Sequence, residues 1–159
     1  MEPRITAREP FAVLGIATRI RRGSETPELF ARAWRQFESY RQRIESVAIG
    51  KHYFGVNFPT DQDDLTDYVA GMMIGDDTPV PLGLEKRRVS GGQFAVFECP
   101  VEAIGDRYRY IFTVWLRSAT VDFDPAVPVF EEYPESTPQQ PVCIHVPIRQ
   151  RHEEARRAG

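Results

Sequence analysis

Cysteine is scarce, and what there is has no metal-like spacing. Cys99 and Cys143 are the only two in the chain. Their placement excludes a CxxC zinc or redox motif, fits a reduced compartment, and permits a single disulfide without implying one. Histidine is scarce too: His52, His145 and His152 are too dispersed to suggest a metal site. No apolar run approaches the ~20 residues that a bilayer span needs. The opening MEPRITAREP lacks the apolar core of a signal peptide. The expected location is therefore the cytoplasm, with no membrane partner. Positive charge is not in excess either. The formal net charge is −3 and the pI is about 5.7, which argues against direct nucleic-acid binding, because phosphate neutralisation needs clustered Lys and Arg. The basic runs (Arg19, Arg21 and Arg22; Lys86, Arg87 and Arg88; Arg149, Arg151, Arg156 and Arg157) are scattered and read as solvated faces and tails. No G-x-S-x-G, H-E-x-x-H or phosphate-binding glycine loop occurs, and Gly91-Gly92 precedes a strand rather than opening a helix. No cofactor is expected.

What is present is an ordinary folding composition: 159 residues, 42% hydrophobic and 27% charged, enough for one domain. FAVLGIATRI, from Phe11 to Ile20, is apolar and β-branched and reads as a strand. Thr26 can cap a helix, Pro27 suits its first turn, and Glu28 complements its dipole. Leu29, Phe30, Ala33, Trp34, Phe37 and Tyr40 then recur at helical spacing, which predicts a helix over about 27–44. KHYFGVNF (Lys51 to Phe58) and TDYVAGMMIG (Thr66 to Gly75) read as a hairpin. After the Pro- and Gly-rich GDDTPVPLG the pattern restarts. A strand is expected around Gln93 to Cys99. RYRYIFTVWLRSA reads as a helix with Tyr108, Ile111, Phe112, Trp115 and Leu116 on one face. PVFEEYP and PVCIHVPI complete the pattern as strands.

Each half thus reads strand, helix, strand, strand, with pseudo-repeats at about 10–75 and 86–149 and a charged tail at 150–159. The expected fold class is α+β: duplicated βαββ halves forming one antiparallel sheet, both helices on one side and a cleft between the halves.

The series SGGQFAVFE, YIFTVWLRSA, PVFEEY and IHVPI, together with FAVLG and DYVAGMMI in the first half, resembles the GyrI-like small-molecule-binding family. Its domain serves as the effector-binding domain of many AraC-type and MerR-type regulators. The resemblance spans roughly residues 10–149. It implies a pocket between the halves for lipophilic, often cationic or aromatic, ligands. It also implies a central carboxylate from the F-E-x-Y strand, here Phe130, Glu131, Glu132 and Tyr133. The chain departs from the family's W-L-P-x-S-G helix exit: it reads Trp115-Leu116-Arg117-Ser118-Ala119. No segment is left over for a DNA-binding module, so a small-molecule ligand is the expected partner, and any protein partner is unknown.

Strand alternation puts Phe130 and Glu132 on one face and Glu131 and Tyr133 on the other. A slip of one residue would swap the two glutamates, and an exposed strand glutamate is commonplace. The resemblance selects Glu131 as the ligand-facing carboxylate, with Tyr133, Trp115, Tyr68 and Trp34 as candidate rings and Tyr53, Tyr110 and Phe54 as weaker ones. Met72 and Met73 read as core. The resemblance leaves two alternatives open: a hydrolase of strained cyclopropane-bearing compounds, an enzyme type that some GyrI-like proteins resemble, using Glu131 and Tyr133, and a gyrase-inhibitor-like interaction module. His145, between Ile144 and Val146, is expected on the sheet's opposite face.

Overall fold

A computed structural model describes residues 2–134 and 140–151; Glu135, His152 and the tail arginines Arg156 and Arg157 lie outside the described residues. Nine strands form one antiparallel sheet: β1 (Arg4–Arg8), β2 (Phe11–Arg21), β3 (Tyr53–Pro59), β4 (Leu65–Ile74), β5 (Glu85–Val89), β6 (Gly92–Cys99), β7 (Val121–Phe123), β8 (Val129–Tyr133) and β9 (Val142–Gln150). The helices are α1 (Pro27–Glu38), α2 (Arg41–Val47), α3 (Ile104–Tyr110) and α4 (Leu116–Ser118), the last two joined by a π-helical stretch, Ile111–Trp115. The two halves are therefore β2-α1-α2-β3-β4 and β6-α3-α4-β8-β9, with β7 inserted before β8.

The sheet order is β1-β6-β9-β8-β3-β4-β2-β5. The ends of this list are not separate edges. β1 continues into β2, and β5 into β6, through two residues each. Arg8 pairs with Gly92 and Phe11 with Val89, so one antiparallel register runs unbroken through both bends. Each half thus lends an N-terminal extension of its first strand to the other half's first strand, and the sheet curls into a ring closed a second time by β3 against β8. β1, β5 and β7 were not expected. RITAR and EKRRV are short and charged and carry no alternating apolar signal; their strand state comes from pairing with residues far away in sequence.

One face of the ring is packed by the helices. Thr26 caps α1 by accepting the Leu29 N–H at 3.4 Å. Ala33 and Phe37 then bury against Leu14, Tyr68, Ala70 and Met72. The single helix expected over 27–44 is in fact two. Tyr40 leaves helical geometry at φ −115° and ψ 2°, and α2 restarts with Ile44 turned into the same core. On the second half, Ile111 and Trp115 bury against Ala95, Phe97, Ile144 and Val146. The π-helical turn widens the spacing between successive inward residues, so Phe112 turns out to solvent rather than joining them. The opposite face closes over Phe11, Phe54, Phe94 and Phe130, whose rings meet edge-on or tilted at 5.3–6.1 Å. Coiling this tightly brings β2 against β4 at the pair Gly15 and Gly71. A Cβ on Gly15 would lie 2.0 Å from the Ala70 carbonyl oxygen.

No helix among the described residues is long and apolar enough to cross a membrane. The basic runs are in part spent on neighbouring acids: Arg19 and Arg87 on Asp67, Arg88 on Asp76, Arg151 on Asp122.

Candidate functional site

β8 sits where the two halves join, paired with β3 on one side and β9 on the other. Its alternation sends Glu131 to the helix face and Glu132 to the opposite face, and the two carboxylates meet opposite electrostatic fates.

Glu131 is 4% exposed. Tyr108 donates to its Oε2 at 2.5 Å and Asn57 Nδ2 to the same oxygen at 3.3 Å. Tyr68 and Tyr133 donate to Oε1 at 3.4 and 3.3 Å. Each donor is placed by its element. Asn57 and Tyr68 are paired across β3 and β4, Tyr133 follows Glu131 by one strand repeat, and Tyr108 comes down from α3. Gly55 pairs directly with Glu131 and supplies the floor. A Cβ there would lie 2.2 Å from the Tyr68 hydroxyl and 3.0 Å from Glu131 Oε1, so only glycine leaves room for this arrangement. Trp34 of α1 completes the wall, donating its Nε1–H to the Tyr68 hydroxyl at 3.0 Å and standing edge-on to Tyr133 at 5.4 Å.

Every hydrogen-bonding partner of Glu131 among the described residues is neutral. Burial therefore dominates and raises its pKa to about 7; the hydrogen bonds from Tyr108, Tyr133, Tyr68 and Asn57 pull the other way without compensating. The same burial, together with the carboxylate's charge, holds the hydroxyls of Tyr68, Tyr108 and Tyr133 above the usual tyrosine range. Four polar donors, three of them tyrosine hydroxyls, thus converge on one buried carboxylate that has no counter-charge among its hydrogen-bonding partners in the described residues.

Glu132 has its counter-charge. Arg8 Nη1 donates to Oε1 at 2.7 Å and His52 Nδ1 to Oε2 at 2.6 Å. Burial pushes its pKa up, but the bonds from Arg8 and His52 outweigh it and leave it below the usual carboxylate range. The Arg8 guanidinium also sits 4.9–5.6 Å from the rings of Phe11, Phe54 and Phe130. His145 does lie on this face. It stacks on Phe130 at 4.3 Å and is kept neutral by burial, which lowers its pKa to about 4.

Of the residues singled out from the sequence, the structure brings Glu131, Tyr133, Tyr68 and Trp34 together. Trp115 is not among them: at the end of the π-helical stretch it packs edge-on against Phe97 at 5.1 Å in the second-half core. Tyr110 packs against that same second-half core. Tyr53 packs edge-on against Phe37 and bonds through its hydroxyl to Arg41 and Glu45, and Phe54 lies on the opposite face. Tyr108, Asn57 and Gly55 were missed as site residues. Asn57 and Gly55 share the alternation of Tyr53 on β3, so the register of β3 against β8 was the signal that would have found them. Two surface grooves, of about 690 and about 520 Å³, lie elsewhere, and neither is lined by Glu131. Among the described residues no group of three or more His, Cys, Asp or Glu could hold a metal ion.

The profile of a family described as integron-associated effector binding protein matches residues 4–148. No curated protein sequence matches. Among solved structures, the chain is similar to SAV2435 bound to tetraphenylphosphonium, with a TM-score of 0.80 and 15% identity over the whole of both chains. It is similar to a putative bacterial transcription regulation protein of Staphylococcus aureus, with a TM-score of 0.74 and 15% identity over 94% of this chain and 99% of that one. It also resembles an integron cassette protein of the Vibrio cholerae mobile metagenome, with a TM-score of 0.67 and 17% identity over 93% and 96% of the two chains. At these identities the likeness is one of fold.

Proposed function

The chain belongs to the family of integron-associated effector binding proteins, whose members bind small molecules, and from that premise we propose that it binds lipophilic, aromatic cations at Glu131. The observation that carries this reading is the buried carboxylate whose hydrogen-bonding partners among the described residues are all neutral. Holding a carboxylate in such a place costs several kcal/mol unless a partner arrives or a proton is kept. A desolvated organic cation supplies that partner, and the rings of Trp34, Tyr68, Tyr108 and Tyr133 supply apolar area and cation–π contact. Small inorganic cations are poor candidates, because the rings cannot replace their water. The solved structure of SAV2435 holds tetraphenylphosphonium, a ligand of this chemical kind on the same fold.

The rings close over Glu131 in this state, so a ligand enters by moving them. Trp34 and Tyr133, half-buried at the rim, are the natural gate. Trp34 is then also the reporter. Titration with a matched cation, neutral isostere and anion is expected to quench tryptophan fluorescence saturably for the cation alone, and the quenching should vanish in Trp34→Phe. Equal affinity for the cation and its neutral isostere would overturn the reading.

A further inference from the structure

Eight large hydrophobic side chains are exposed among the described residues. Half of them, Val47, Ile49, Val80 and Leu82, belong to two neighbouring segments: the end of α2 with the residues just after it, and the connection from β4 to β5. Two anchors fix their geometry. At one end Ile49 donates its N–H to the Met73 carbonyl at 2.8 Å and its Cδ1 closes on Gly75. At the other, Gly83 rests on the ring of Tyr40, so closely that a Cβ would lie 2.8 Å from its hydroxyl. The connection therefore runs back along α2. It ends in a tight turn in which Leu84 donates its N–H to Pro81 at 3.2 Å and Gly83 adopts φ +89°, the geometry of a type II turn. Leu82 occupies the outer corner of that turn and is 94% exposed.

A fixed turn that displays a bare leucine is unusual surface, since a contiguous exposed apolar patch marks an interaction site. Leu82 and Gly83 themselves form one wall of a groove of about 690 Å³, whose other walls are Ile16, Gln36, Ser39, Tyr40 and Arg43. Knob and groove thus share one patch. So do two charges without an ion pair among the described residues: Arg43 on the groove wall, 5.9 Å from the Tyr40 ring centre, and Asp77 at the Ile49 end of the connection. An interface between identical copies about a twofold axis needs both complementary parts on a single patch.

We propose that this patch binds a second copy of the chain, each Leu82 seated in the groove of the other and each Arg43 facing the other's Asp77. Sedimentation velocity over a rising concentration series tests it. The wild-type chain is expected to dimerise. Leu82→Asp, at a position that touches nothing in the folded chain's core, is expected to raise the dissociation constant at least about tenfold with an unchanged circular dichroism spectrum. Arg43→Asp and Asp77→Arg are each expected to weaken the dimer, and the double exchange to restore it. A chain that stays monomeric at every concentration would overturn the proposal and leave the patch to a different protein or to a lipid surface. A dimer indifferent to Leu82→Asp would overturn it equally.

Discussion

Glu131→Gln is expected to make the ligand-free protein more stable above neutral pH and, in the same step, to abolish its preference for cations. The sign follows from where the proton sits. The folded-state pKa of Glu131 is about 7 against an ordinary value of 4.5. Between those values the folded chain keeps the proton and the unfolded chain releases it, so the unfolded state binds fewer protons and stability falls as pH rises. The contribution is most favourable at or below pH 4.5, is lost progressively up to about pH 7, and is flat beyond. A shift of that size corresponds to something on the order of 3 kcal/mol. The glutamine side chain of the variant has nothing to ionise, so the Tm difference between variant and wild type should be largest at pH 8 and shrink towards pH 5. Cation binding runs the other way. It needs the ionised carboxylate, so wild-type affinity should fall about tenfold per pH unit below about pH 7 and level off above it. Titration calorimetry in buffers of different ionisation enthalpy should show proton release at pH 6 and almost none at pH 8. In the variant the pH dependence should vanish and affinity fall by about thirtyfold to a thousandfold, the usual cost of removing one partner of a buried charge pair. A variant that binds the cation as tightly as wild type at pH 8 would show that Glu131 is not the counter-ion.

That Glu131 and Glu132 lie on opposite faces was legible in PVFEEYPE because a strand's alternation is local; which of the two is the ligand-facing one came only from the family resemblance. What each glutamate meets is not local. The counter-charge of Glu132 is Arg8, on a strand that the sequence does not advertise, and the shortest bond to Glu131 comes from Tyr108. Tyr108 reads as one more apolar position on its helix, and the π-helical turn that follows it cannot be inferred from residue types. The same turn explains why Phe112 and Trp115, expected on one face, end up on different ones. Helix α1 was readable from its cap and its spacing, whereas the break at Tyr40 was not, because Tyr40 is held by Gly83 from a loop far downstream in the chain. Glycines were the least readable of all. Gly15, Gly55 and Gly71 look alike in sequence, and only the strand register reveals what stands opposite each of them.

Gly55→Ala is expected to destroy the site while sparing the fold, and Gly15→Ala to destroy the fold. The two added methyl groups meet very different obstacles. At Gly15 the nearest atom is the Ala70 carbonyl oxygen at 2.0 Å, followed by the carbonyl carbon and the Gly71 Cα. All three are backbone atoms of the paired strand, so relief requires β2 and β4 to part over a pairing of ten residues. The cost should exceed about 3 kcal/mol, at the far end of what overpacking produces, and the variant should be largely insoluble or molten. At Gly55 the nearest atoms are the Tyr68 hydroxyl at 2.2 Å, the Tyr68 ring carbon Cζ at 2.9 Å and Glu131 Oε1 at 3.0 Å, all of them at the far ends of side chains. These can swing aside, at about 1–3 kcal/mol, and the hydrogen bonds from Trp34 to Tyr68 and from Tyr68 to Glu131 then open. Gly55→Ala should therefore unfold cooperatively with a lowered Tm, show an altered Trp34 emission, and bind the cation at least about tenfold more weakly. Full affinity in a folded Gly55→Ala protein would mean that the ligand does not use the carboxylate as it stands over Gly55, and would direct attention away from the junction of β3 and β8 altogether.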